Sequence, residues 1–89
     1  MTVHESELLE NVLDALDRLH DGDSTVTDLR ALLFATAHAL RATEHYPELM
    51  RPLAEMLAVV RSGEATDVQR ERALIATDGL RRYLAEITE

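Results

Sequence analysis

The chain has no cysteine, no lysine and no tryptophan, and its 89 residues include only three glycines, two prolines, two tyrosines and one phenylalanine. The missing cysteine removes disulfide scaffolds, cysteine nucleophiles and thiolate metal sites. The glycines stand alone at Gly22, Gly63 and Gly79, so there is no glycine-rich phosphate loop. The longest near-apolar stretch, residues 31–40, is too short to cross a bilayer. The opening Met-Thr-Val-His-Glu-Ser-Glu is acidic and carries no apolar region of the kind a secretory signal needs. Strand-period alternation, linkers, internal repeats and low-complexity tracts are also missing.

What remains is 46% hydrophobic and strongly acidic: seventeen Asp and Glu against nine Arg give a net charge of -8. A chain of this mass is expected to bury roughly 9,000 Å² on folding, about 64% of its unfolded surface. One domain spanning 1–89 is therefore expected, in a cytoplasmic setting. The charge opposes direct binding to nucleic acid, whose phosphates need a basic surface. It disfavours anionic membranes for the same reason. It favours solubility and encounter with basic proteins.

Helical periodicity runs through the whole chain. Thr2 and Glu5 have the spacing of a capping box, and Leu8, Leu9, Val12, Leu13, Leu16 and Leu19 recur on one face before Gly22. Thr25 with Asp28 is the expected cap of a second helix running to Tyr46-Pro47. One of its faces is Leu29, Leu32, Leu33, Thr36, Ala37 and Leu40. The other is apolar too, so this helix is expected to be central and covered nearly all round. For the third helix two readings stand. Either it starts at Pro47 with Pro52 inside, or a turn at 47–50 precedes a helix from Pro52 to Ser62; the second is preferred because an internal proline kinks a helix. Thr66 and Gln69 are expected to cap a fourth helix that ends near Ile87. Its face is Ala73, Ala76, Thr77, Leu80, Tyr83, Leu84 and Ile87, and Gly79 mid-helix offers a place for close helix contact. The expected fold is all-α: a compact up-and-down four-helix bundle with a short or kinked third helix.

Three groups of residues carry the functional expectations. Glu7, Glu10, Asp14, Asp17 and Asp21 form an acidic stripe along about 21 Å of the first helix, opposite its leucines. Like charges four residues apart disfavour a helix slightly. The stripe is either a solvated face or a docking surface for a basic partner. The second group is Phe34, His38, Arg41, Ala42 and His45, with Ala31 and Ala35 beside them. It is read either as a buried face or as an exposed patch for docking, phosphoryl transfer or homodimerisation. The third is a set of arginines, Arg70, Arg72, Arg81 and Arg82, interleaved with Asp67, Glu71, Asp78 and Glu86. Such mixtures are usually salt-bridged surface, and some of these arginines are expected to face the acidic first helix.

No metal or other cofactor is expected. Asp17-x-x-His20 occurs once without a second pair, and His38 and His45 would stand about 10.5 Å apart on one helix. Few polar groups converge as a catalytic site requires, so no enzyme activity is expected.

Ala37-His38-Ala39-Leu40-Arg41-Ala42 resembles the core of a histidine phosphotransfer domain. In that family the acceptor histidine is followed three residues later by lysine and then glycine, on the second helix of a four-helix bundle. The third-helix stretch from Leu53 to the break at Gly63 is similar as well. The resemblance implies His38 as phosphoryl acceptor with Arg41 in place of the lysine. Ala42 stands where the family has glycine, and its methyl would crowd an incoming phosphoryl group.

The favoured expectation is a non-enzymatic interaction module, monomeric or homodimeric. Its acidic first helix would bind and neutralise a basic protein partner, in the manner of an immunity protein or an inhibitor of a toxin, nuclease or DNA-binding protein. A phosphotransfer domain and a homodimeric helical scaffold are the alternatives.

Overall fold

A computed structural model of the protein describes residues 2–88. It contains four helices: α1 (Val3–Asp21), α2 (Val26–Ala39), α3 (Tyr46–Arg61) and α4 (Thr66–Ile87). Each packs against the next, and α4 closes the ring against α1. Side-chain contacts give the direction of the chain. Arg70, near the start of α4, meets Leu19 and His20 at the end of α1. Tyr83, near the end of α4, meets His45 at the start of α3. So α4 runs antiparallel to both neighbours, and the protein is an all-α, up-and-down four-helix bundle.

The core follows the helical periodicity. Leu9, Val12, Leu16 and Leu19 of α1 meet Leu29, Leu33 and Ala37 of α2. Leu49, Leu53 and Met56 of α3 and Ala73, Leu80 and Leu84 of α4 complete the cluster. The accessible surface is 5468 Å², close to the roughly 5,200 Å² of a globular chain of this mass.

Local chemistry sets the helix ends. The Thr2 hydroxyl accepts from the Glu5 amide and the Glu5 carboxylate accepts from the Thr2 amide, a complete capping box. Gly22 closes α1 at φ 84°, a left-handed angle that glycine adopts without a side-chain clash. The Thr25 hydroxyl caps α2 by accepting from Asp28 N–H at 3.1 Å.

Four expectations are corrected, three of them at helix boundaries. First, α2 stops at Ala39 rather than near Tyr46. Thr43 Oγ1 donates to the Leu40 carbonyl at 2.8 Å and accepts from His45 N–H at 3.2 Å. This side-chain alternative to helical bonding turns the chain before the proline is reached. Second, α3 begins at Tyr46, not Pro52, and its 16 residues exceed the 14 of α2. Pro47 lies in the first turn, where its missing N–H is harmless. Pro52 lies inside and loses one helical hydrogen bond, a penalty of about 3 kcal/mol. Burial of Leu49, Leu53 and Met56 outweighs it, at about 1.5–3 kcal/mol for each side chain.

Third, Ala65 rather than Thr66 occupies the cap of α4 and makes no side-chain cap bond. Gln69 instead donates from Nε2 to the Glu64 carbonyl at 2.8 Å. Glu64 is tied in turn to Arg72 at 2.8 Å. Fourth, Gly79 makes no close helix contact: a Cβ there would meet nothing within 4 Å.

Candidate functional site

Both ends of α1 are capped and its leucine face is sunk in the core, so the acidic stripe is held on a rigid helix facing outward. Glu7, Glu10, Asp14 and Asp21 are exposed and Asp17 is half-buried. The five carboxylates differ in what they hold. Asp14 pairs with Arg18 one turn on, at 2.9 Å. Asp17 pairs with Arg81 of α4, at 2.7 Å. Glu7, Glu10 and Asp21 have no ion-pair partner among the described residues.

The arginines of α4 divide by role. Arg70 reaches across to α1, donating from Nε to the Leu19 carbonyl at 2.8 Å and from Nη2 to the His20 carbonyl. The Leu19 carbonyl also accepts from Gly22 N–H at 3.2 Å, so Arg70 reinforces a paired group there, adds a partner at the exposed His20 carbonyl, and places positive charge at the negative end of the helix dipole. Arg81 makes the second tie to α1, through Asp17. The expectation that arginines of the last helix face the first thus holds for these two. Arg72 and Arg82 pair with Glu64 and Asp78. Among the described residues no three His, Asp or Glu side chains converge as a metal ion would need, and no helix is long and apolar enough to cross a membrane.

The second candidate group is split by the fold. Phe34 is 57% exposed and His38 is also exposed, so the outer face of α2 is not covered all round as expected. The reason is the ring arrangement. It gives α2 a neighbour on each side and α4 across the centre, and none on the outside. Because α2 ends at Ala39, Arg41 and Ala42 lie in the turn that follows, and Ala42 is not one helical turn above His38. Arg41 Nη1 donates to His38 Nε2 at 3.0 Å. Phe34, His38 and Arg41 share a shallow depression of about 90 Å³ with Tyr46 and Met50 of α3.

His45 has left the patch altogether. It is 4% exposed, and its Nδ1 lies 2.7 Å from the Tyr83 hydroxyl. With the ring proton on Nε2, Tyr83 O–H donates to Nδ1 and Nε2–H turns toward the Glu44 carboxylate, 4.0 Å away. Burial, and then the nearby Glu44 and Glu48 carboxylates, push the Tyr83 hydroxyl above its ordinary pKa of 10.0.

Comparison with known protein families, with curated proteins and with solved structures finds no match to this chain. Its own geometry is therefore the basis for any functional reading.

The structure adds a feature that the periodicity argument passed over. A groove of about 360 Å³ opens between α1 and α4, with Leu16, Leu74 and Ile75 on its apolar surface and Glu71, Asp78 and Arg81 among its polar lining. Ile75 is 72% exposed. The available signal was that Ile75 is a large aliphatic residue off the core face of its helix.

Proposed function

We propose that this chain is a non-enzymatic interaction module that binds and neutralises a basic protein through the outer face of α1. Immunity proteins and inhibitors of toxins, nucleases or DNA-binding proteins are examples of this type. One observation carries the reading: Glu7, Glu10 and Asp21 stand exposed along one rigid helix with no ion-pair partner among the described residues. Asp14 and Asp17 are tied to arginines of the bundle, whereas these three carboxylates are free to meet a partner. A row of free carboxylates steers a cationic partner and gives salt-sensitive association.

The geometry also selects the variants. Reversing Asp14 or Asp17 breaks a bridge within the bundle, so the informative change is Glu10→Arg with Asp21→Arg. Tested against a basic protein encoded beside this chain, the double variant should bind at least about tenfold more weakly at low salt. Its melting temperature should stay unchanged. Equal affinity for wild type and variant sinks the proposal.

A second reading has one observation in its favour, the exposure of His38 beside Arg41. A guanidinium there would neutralise charge on a phosphoryl group carried by the imidazole. Its hydrogen bond also occupies the Nε2 lone pair, so Arg41 would have to swing aside before Nε2 attacked phosphorus. Incubation with a phosphorylated receiver or kinase should then give an acid-labile phosphate that His38→Gln abolishes. A wild type that takes up no phosphate rejects this reading.

A further inference from the structure

The groove between α1 and α4 adjoins the acidic stripe, because Asp17 belongs to the stripe and its partner Arg81 lines the groove. Leu16 forms the buried floor of the groove, Leu74 is half-buried on its wall, and Ile75 stands open at its edge, among the most exposed large hydrophobic residues of the bundle.

The charges around it are unequal. Arg81 is already tied to Asp17, and Asp78 to Arg82. Glu71 has no ion-pair partner among the described residues. Apart from His20, which also lines the groove, the free charge at the rim is therefore negative, the same sign as the free carboxylates of α1.

The volume, about 360 Å³, lies at the lower end for ligand pockets. The neighbouring stripe, however, extends about 21 Å along α1, which a small ligand would not span. We infer that the groove is the anchor pocket of the partner surface: it takes one large apolar side chain from a protein segment in which Arg or Lys flanks that residue. The flanking cations meet Glu71 and the free carboxylates of α1, while the anchor displaces water from Ile75 and Leu74. This rests on the reading that α1 binds a basic partner. It narrows that partner from any cationic surface to a basic segment with an apolar centre.

A displayed library of random 12-residue peptides, panned on the whole protein at low salt, tests both statements separately. The expected winners carry Leu, Ile, Met, Phe or Trp with two or more Arg or Lys within four positions. A synthetic winner should bind Ile75→Asp at least about tenfold more weakly than wild type. Electrostatics alone predicts the opposite, since this change adds a carboxylate to the rim. Ile75 is exposed, so the variant folds, as an unchanged melting curve would verify.

Winners that are basic without an apolar residue overturn the anchor pocket and leave the acidic surface standing. So do winners that bind Ile75→Asp as tightly as wild type but lose affinity to Glu10→Arg with Asp21→Arg. Apolar winners without Arg or Lys, or no enrichment at all, overturn both.

Discussion

Replacing Tyr83 by Phe is the sharpest probe of how α3 and α4 are held together. The aromatic ring stays, edge-on to His45 with centroids 6.0 Å apart and 61° between planes. Only the hydroxyl is removed, and with it the 2.7 Å bond to His45 Nδ1. His45 is 4% exposed, so water cannot easily replace the lost partner. A typical hydrogen bond contributes about 1 kcal/mol net, and removing one partner so that a buried polar atom is left unpaired costs about 1–3 kcal/mol in all. We expect a loss of about 2 kcal/mol in urea unfolding followed by circular dichroism, from a total in the range of about 4–13 kcal/mol for a chain this long. The melting temperature should fall by about 8–16 °C. Replacing both partners, His45→Leu with Tyr83→Phe, removes the unpaired atom and should recover part of the loss. A loss below about 0.5 kcal/mol in the single variant, or a double variant no better than the single, would refute the account of this pair.

Four further outcomes can be checked on the free protein. Because the Tyr83 pKa is raised on folding, its contribution to stability is complete below the unfolded value of 10.0 and disappears as pH climbs through the higher folded value. The urea midpoint should therefore drop more steeply above that pH in wild type than in Tyr83→Phe. Gly79→Ala should raise stability by about 0.5–1 kcal/mol, since the exposed site has room for a methyl and alanine is the better helix former. Gly22→Ala should lower it by about 1–2 kcal/mol, because alanine is strained at φ 84°. Arg70→Met should lose about 0.5–1.5 kcal/mol, because the Leu19 carbonyl keeps its bond from Gly22 N–H and water can reach the His20 carbonyl, and Arg81→Met should lose under about 1 kcal/mol because its bridge to Asp17 is half-exposed.

Long-range contacts were the main obstacle to reading the sequence, and the local turn set by Thr43 and the Ala65 cap of α4 were missed as well. The capping of α1 depends on Thr2 and Glu5, three residues apart, and its end depends on the angles of one glycine. Both were readable. So were the buried faces, since Leu9, Val12, Leu16 and Leu19 repeat with the helical period whatever they pack against. The start of α3 was not readable, because it turns on a comparison between the penalty at Pro52 and the burial of Leu49, Leu53 and Met56 by other helices. His45 was placed on the outer patch of α2 because nothing local reveals a partner 38 residues away on α4.

The candidate site follows the same rule, with a consequence for how it should be tested. Periodicity placed all five stripe carboxylates on one face, but it could not tell those that hold the bundle from those that are free. Asp17 and Arg81 are 64 residues apart in the chain, yet their bridge removes Asp17 from the pool of carboxylates open to a partner. It also brings the stripe to the edge of the groove that Ile75 lines. A charge-reversal series chosen from the sequence would have begun in the middle of the stripe, at Asp14 and Asp17. Any loss of binding at Asp17 would be confounded with a loosened contact between α1 and α4, and any loss at Asp14 with the broken pair to Arg18 within α1. Reversals at Glu10 and Asp21 leave the bundle's own ion pairs in place, so a change in affinity can be assigned to the surface itself.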